Sequence, residues 1–177
     1  MLIPKSLQNL ITEFEKLPTI GPKSASRLAF SLMNSGEGKN LSEAIKDAYE
    51  NLRKCDLCFN ISEEEFCEVC KNSSRNKARI CVVEDSLDVI AIERMNRYDG
   101  VYHVLGGLIS PMDDVEELTL KQLLKRIENL AVECDRVETI LAINQSIEGE
   151  ITSMYIKDHI NKLENTEKVE LTRLASG

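Results

Sequence analysis

Along the first 54 residues, apolar side chains return every three or four positions. Leu7, Leu10, Ile11 and Phe14 fall at i, i+3, i+4 and i+7, and predict a helix over residues 4–16 with Pro4 in its first turn. Pro18 ends that helix, Gly21 supplies a turn that asks for a positive φ, and Pro22 opens a second helix. Ala25, Leu28, Ala29 and Leu32 form the stripe of this second helix. After a loop at 34–38, Asn40 and Glu43 read as N-cap and N3 partner of a third helix carrying Leu41, Ile45, Ala48 and Leu52. Beyond a polar linker at 71–78 the period changes. Ile80-Cys81-Val82-Val83 is a continuous apolar run, the pattern of a parallel strand covered on both faces. A helix over about 86–97 follows, then a strand at 101–105 and a loop holding Gly106, Gly107, Ser110 and Pro111. The next helix carries Leu120, Leu123, Leu124, Ile127 and Leu130 on one face, with Thr119 and Gln122 as its capping box. A strand at 137–143, a helix with Ile156, Ile160 and Leu163, and a strand at 169–174 complete the pattern. Strand and helix alternate from residue 78 on, which predicts a parallel α/β sheet. The fold class is therefore α+β in several parts: a helical N-terminal part, a small cysteine-bearing segment and a C-terminal α/β domain. Their boundaries are read as 1–54, 55–77 and 78–177.

The middle segment carries the sharpest chemistry. Cys55, Cys58, Cys67 and Cys70 stand as C-x2-C-x8-C-x2-C. Each pair can turn two sulfurs toward one centre, and two pairs close a tetrahedron suited to Zn²⁺. The spacer 59–66 is polar and too short to build a core, so metal binding and folding are one event there. Four ligands leave no open position, which makes the expected single Zn²⁺ structural. The rival readings are disulfides, disfavoured by the lack of any secretion pattern at the N-terminus, and a redox C-x2-C, which would be single and would open a helix. Cys81 and Cys134 stand alone and read as core thiols.

Charge changes the picture next. The chain has 22 Lys and Arg against 30 Asp and Glu, a net of −8, which by itself disfavours nucleic acid. The distribution is uneven. Residues 1–54 hold eight basic and six acidic side chains, a net of +2, which leaves −10 for the remainder. Different partners for the two halves are implied. No stretch approaches the apolar length of a membrane span, and a cytoplasmic location is expected.

The basic part has a chemical use. Helix, glycine hairpin and helix leave backbone N–H groups unpaired at the second helix's start, where they can hold a phosphate. Lys23 and Arg27 lie at i, i+4 and can flank it. Leu17, Pro18, Ile20, Gly21, Ala25 and Leu28 resemble the helix-hairpin-helix DNA-binding motif. The expected DNA contacts are Ile20, Gly21, Lys23, Ser24 and Arg27, directed at backbone and so largely indifferent to sequence. An ordinary αα-corner with a surface glycine is the bland alternative.

In the α/β part, acids sit at two strand ends, where such sheets gather function: Glu84, and Glu148 in the loop that begins at Asn144. They resemble the Toprim domain of topoisomerases and primases, but Asn144 and Ser146 stand where the Mg²⁺-holding aspartates would be. Amide and hydroxyl are poor Mg²⁺ ligands beside carboxylates. Solvated loop acids remain the plain alternative.

Taken together, the hairpin, the four cysteines, Ile80-Cys81-Val82-Val83-Glu84, the run His103-Val104-Leu105-Gly106-Gly107-Leu108-Ile109-Ser110-Pro111, and the loop at Asn144 resemble the bacterial RecR family of recombination mediators. The resemblance runs from about Leu17 to Leu174. It implies a non-enzymatic DNA clamp of recombinational DNA repair, bacterial and cytoplasmic, built of homodimers that close into a tetrameric ring. It implies RecO and RecF as partners in loading recombinase at single-stranded gaps. The acidic half, with no metal pair at its strand ends, offers a negative patch that repels DNA and attracts a basic partner, so Glu84, Asn144 and Glu148 are expected to serve protein contacts, and the resemblance suggests RecO as that partner. The family's loop usually reads N-P-T-x-E-G-E-A-T, from which Gln145, Ser146 and Ile151 depart. The family also continues into a glycine- and proline-containing tail that helps hold the ring, whereas this sequence stops at Gly177, so ring assembly is expected to be affected. Two rivals stay open: a Mg²⁺-dependent Toprim nuclease or primase-like enzyme, and a zinc-stabilised adaptor that binds only proteins.

Overall fold

A computed structural model describes residues 3–110 and 118–174 of the chain. Pro111, placed in a loop by its sequence, lies outside the described residues. The chain divides into two compact units, Met1–Asn51 and Leu52–Gly177.

The first unit is three helices: α1 (Lys5–Glu15), α2 (Pro22–Ser35) and α3 (Gly38–Asn51). Its core is small. Ile11, Ala25 and Ala29 are buried, with Leu7, Leu10, Phe14 and Ile20 packed around them. The hairpin is pinned by Leu17 N–H to the Phe14 carbonyl and Ile20 N–H to the Leu17 carbonyl, both at 3.1 Å. The left-handed residue is Thr19 (φ 67), whereas Gly21 has φ −85, so the glycine is not there for a positive φ. Pro22 stands at the start of α2, where its missing N–H costs nothing. Gly36 ends α2 in the left-handed conformation (φ 74). That reversal lets α3 restart at Gly38, so Asn40 lies inside the helix and is not its N-cap.

The second unit opens with a two-stranded antiparallel ribbon, β1 (Arg53–Lys54) on β2 (Ile61–Ser62), and a single turn, α4 (Glu68–Lys71). Then come β3 (Asn76–Val83), α5 (Ser86–Glu93), β4 (Gly100–Val104), α6 (Leu120–Glu133), β5 (Val137–Ala142), α7 (Ile147–Ile160) and β6 (Val169–Arg173). The four long strands are all parallel, in the order β4-β3-β5-β6. The central strand β3 is the continuous apolar run and is buried on both faces. Ile80, Val82, Val101, Leu123, Ile127, Leu141 and Ile156 pack on one side, and Cys81, Val83, Val89, Tyr102 and Val104 on the other. Cys81 is a core thiol, its pKa pushed up to about 12 by burial; Cys134 is only half-buried, at the end of α6.

In the second unit three elements differ from their sequence expectation, where tertiary bonds compete with local ones. β3 begins at Asn76, inside the expected linker. Just before it, Arg75 forks onto Glu93 (2.5 and 2.9 Å) and bonds the Tyr98 and Gly100 carbonyls. α5 stops at Glu93, four residues short, with Asn96 left-handed (φ 50). Glu93 also accepts from the Tyr102 hydroxyl at 2.5 Å, and Arg75 first and Tyr102 next hold its carboxyl below the usual range. Thr119 makes no capping bond to α6. Its hydroxyl instead donates to the Val104 carbonyl at 2.7 Å.

Candidate metal centre and nucleic-acid interface

The four cysteines of the spaced motif converge. Their sulfurs lie within 4.8 Å of one another, the one such group of three or more metal-ligating side chains among the described residues. Cys58 Sγ and Cys67 Sγ are 3.5 Å apart, too far for a disulfide, and all four thiols are free. A tetrahedron with metal–sulfur bonds of about 2.3 Å has edges of about 3.8 Å, so the sulfur set fits a tetrathiolate ion. The four residues are between 0% and 9% exposed, which closes the site to water.

Short backbone bonds build this cage. Phe59 N–H returns to the Cys55 carbonyl at 2.9 Å and Cys55 N–H reaches the Asn60 carbonyl at 2.8 Å, closing the first turn; Phe59 takes φ 62 to do so. The second pair sits at the start of α4, where Cys67 N–H points at Cys55 Sγ (3.4 Å). Packing thiols this tightly drives their proton equilibria apart. Hydrogen bonding with Cys58 and Cys70 holds Cys67 well below the usual thiol range, while hydrogen bonding with Cys67 and Cys70, together with burial, pushes Cys58 up.

The cage is joined to the sheet. Val104 N–H on β4 donates to the Cys58 carbonyl at 2.8 Å. The Phe59 ring tilts over His103 with centroids 5.3 Å apart. Lys77 Nζ bonds the Cys70 and Asn72 carbonyls at 2.7 and 2.8 Å, fastening the end of α4. Arg126 on α6 reaches across to the carbonyls of Tyr102 (2.8 Å) and Leu57 (3.4 Å), and Leu57 lies between the first two ligands. His103 is fully buried, and burial, with the Arg126 charge behind it, brings its pKa down to about 3. Since the Thr119 hydroxyl already donates to Val104, His103 Nε2 donates to Thr119 (3.0 Å), and Nδ1 is left without a partner among the described residues. Sequence reading missed Arg126, Lys77 and His103 as supports of the cage. Only the isolated cation on an apolar helix face was there to hint at Arg126.

In the first unit the hairpin places four of its five candidate residues on the surface. Gly21, Lys23, Ser24 and Arg27 are exposed, whereas Ile20 is half-buried against the small core. The first intrahelical bond of α2 is Ala25 N–H to the Gly21 carbonyl (2.9 Å), so the N–H groups of Lys23 and Ser24 have no partner among the described residues. No side chain caps this end. Lys23 and Arg27 make no ion pair among the described residues, in contrast to Lys16, which bonds Glu13 at 2.7 Å. A Cβ built on Gly21 meets nothing within 4 Å, so the space in front of the helix start is open.

At the sheet's carboxyl edge, Asn144 Nδ2 donates to Glu84 Oε2 at 3.3 Å, which brings those two candidates together. Glu148 is exposed in the first turn of α7. Ser146 is the N-cap of that helix and accepts from Gly149 N–H at 3.1 Å, so its hydroxyl is spent on local structure. Gly149 is required by space: a Cβ there would lie 1.9 Å from the Asn144 carbonyl oxygen. No helix among the described residues is long and apolar enough to cross a membrane.

Comparison with known families places each part. Residues 7–49 match the family described as "RecR, helix-hairpin-helix", residues 52–72 match the RecR zinc finger domain of the four-cysteine type, and residues 78–175 match the Toprim domain. Among curated relatives, the Recombination protein RecR of a Cyanothece species is 42% identical over 98% of this chain and 84% of its own length. That of one Prochlorococcus marinus strain is 45% identical over 86% of this chain and 76% of its own length, and that of another is 41% identical over 98% and 84%.

Proposed function

This chain belongs to the RecR family of recombination proteins, and from that premise we propose that it is a non-catalytic DNA clamp of recombinational repair, working with RecO and RecF to load recombinase at gaps. The observation that carries the reading is the open start of α2. Two backbone N–H groups and two cations, none of them with a partner among the described residues, lie along the first turns of α2, and a Cβ on the preceding Gly21 would meet nothing within 4 Å. A phosphodiester is the ligand that such donors and charges take. Gly21 admits it closely, Ser24 adds an exposed hydroxyl, and Ile20 sets the hairpin from behind. A net charge of +2 gives one copy little attraction, so several copies acting together, as in a homodimer or tetrameric ring, raise the effective affinity. α3 supports such an assembly, since none of its residues is buried and Leu41, Ile45 and Tyr49 stand exposed.

Zn²⁺ is the ion that suits four buried sulfurs with no open position, and its part is to hold Cys55, Cys58, Cys67 and Cys70 as one fold element. At the sheet edge, Asn144 satisfies Glu84 with a neutral donor, where an aspartate would add repulsion that only a cation relieves. This supports a surface for a basic protein partner over the rival enzyme reading, with Glu84, Asn144 and Glu148 as its contacts.

The test is DNA affinity across salt, with solution mass measured beside it. Lys23→Ala and Arg27→Ala should each cut the log–log salt slope on duplex DNA by about 0.9, equally on unrelated sequences. Unchanged affinity in the double variant would remove the hairpin as the DNA site. Glu84→Lys with Glu148→Lys should weaken binding of RecO and leave DNA affinity equal or higher. Mg²⁺-dependent cleavage lost in that same variant would make the chain an enzyme.

A further inference from the structure

Arg126 is a largely buried guanidinium with no carboxylate within ion-pairing distance among the described residues. Two backbone carbonyls accept from it, and a cation taken out of water on carbonyls alone is costly. The other buried-edge arginine behaves differently: Arg75 has its charge matched by the Glu93 carboxylate at 2.5 Å. Something else must oppose Arg126. Burial lowers its pKa, and the sulfurs of Cys70, Cys58 and Cys55 are the foremost groups acting the other way. Its Nη1, which donates to the Tyr102 carbonyl, also reaches the Leu57 carbonyl at 3.4 Å, between Cys55 and Cys58 in the chain.

Four thiolates around one Zn²⁺ carry two net negative charges inside a site closed to water. That excess must be offset locally, because solvent cannot reach it. Lys77 contributes a second cation at the Cys70 carbonyl, but its ammonium is largely spent on the end of α4. Resting on the metal reading above, we propose that Arg126 is the counter-charge of the tetrathiolate centre, a positioning residue on α6 that holds the metal while touching none of its ligands' sulfurs. The centre and the α/β sheet are thereby coupled. A helix that packs on the sheet supplies the charge that the cage requires, so metal retention reports on the packing of α6.

The experiment follows metal release from the full, zinc-loaded chain into a chromophoric chelator. Arg126→Met keeps the stem and drops the charge, and should release metal about 10-fold faster than the parent chain. Arg126→Lys keeps the charge and loses the planar guanidinium, and should restore most of the parent rate. Lys125→Met, an exposed neighbour on the same helix, should change nothing. Should Arg126→Met fail to fold, Arg126→Gln, which retains a donor for the Leu57 carbonyl without the charge, makes the same comparison. Release from the neutral variants at the parent rate overturns the proposal. So does release from Arg126→Lys as fast as from the neutral variant, which would make the role one of shape. A parent chain that binds no metal would instead end the zinc reading itself.

Discussion

The two units stand at opposite ends of self-sufficiency. The first buries only Ile11, Ala25 and Ala29 among its described residues, and its third helix buries none. The second encloses a four-stranded sheet between two apolar layers and adds a cage of four sulfurs on the β4 side. A three-helix unit with so little core gains marginal stability from burial alone. Its surface carries an open helix start, cations without an ion pair among the described residues, and exposed apolar side chains such as Ile45, Met33 and Phe30. The second unit spends several of its cations internally. Arg75, Arg79, Arg136 and Arg173 each have a carboxylate partner, and Arg126 and Lys77 bind backbone. The lesson is that the open backbone donors and uncompensated surface cations of the hairpin lie where the core is thinnest, whereas the second unit's partnerless polar atoms, His103 Nδ1 and Thr139 Oγ1 among the described residues, are sealed inside its core.

The largest expected effect breaks the second unit at its cage. Cys58→Ser removes one ligand and leaves three sulfurs crowded in a dry site. Structural zinc in such sites contributes on the order of 10–16 kcal/mol of apparent binding energy, comparable to the whole stability of a domain. The loss should spread to the sheet, because the Cys58 carbonyl caps Val104 and Phe59 covers His103. Metal analysis of the variant should find no zinc and solubility should collapse. Well-folded, zinc-free Cys58→Ser would show that the second unit stands without its ion.

Much of this arrangement was legible in the residues. The apolar run at β3 and the alternation of strand and helix gave the parallel sheet, and cysteine spacing gave the cage. Local patterns specify which face of an element is apolar, but not which long-range bond competes with a cap, nor which of several nearby residues takes a turn's left-handed position. Thr119 looks like a helix cap until the Val104 carbonyl claims its hydroxyl. Asn40 looks like one until Gly36 lets α3 begin sooner. Gly21 looks like a turn glycine until Thr19 takes the positive φ. Arg126 gave only the hint of a cation on an apolar helix, because its role depends on α6 lying against a cage that starts 71 positions earlier in the chain, at Cys55.

Two glycines sharpen the comparison at intermediate and small scale. Gly149, in the second unit, has no room: its added Cβ would sit 1.9 Å from the Asn144 carbonyl oxygen and 3.3 Å from an Ile143 methyl. The obstacle is backbone, so it cannot swing aside. Gly149→Ala must push the Asn144 loop away from α7, and overpacking of this kind costs about 1–3 kcal/mol. The denaturation midpoint should fall, and the Asn144–Glu84 bond should loosen with it. An unchanged midpoint would mean that the loop is softer than its packing suggests.

Gly21, in the first unit, is the opposite case, and its variant carries the smallest expected effect on stability. Its φ of −85 is open to any residue, and an added Cβ meets nothing within 4 Å. Gly21→Ala should therefore leave the midpoint within about 0.5 kcal/mol of the parent, as exposed substitutions usually do. Stabilisation by a few tenths is the direction expected if anything moves, since alanine narrows the unfolded chain's freedom. DNA affinity should respond where stability does not. A methyl group at this position adds bulk at the open start of α2, more than 4 Å from any heavy atom beyond its chain neighbours, and should hinder a phosphate from approaching the N–H groups of Lys23 and Ser24. The salt slope should stay near that of the parent, because Lys23 and Arg27 keep their charges, while affinity falls at every salt concentration. That pattern separates loss of close contact from loss of charge. A fall in stability with no fall in affinity would reverse the assignment, making Gly21 a structural glycine and moving the phosphate elsewhere on the unit.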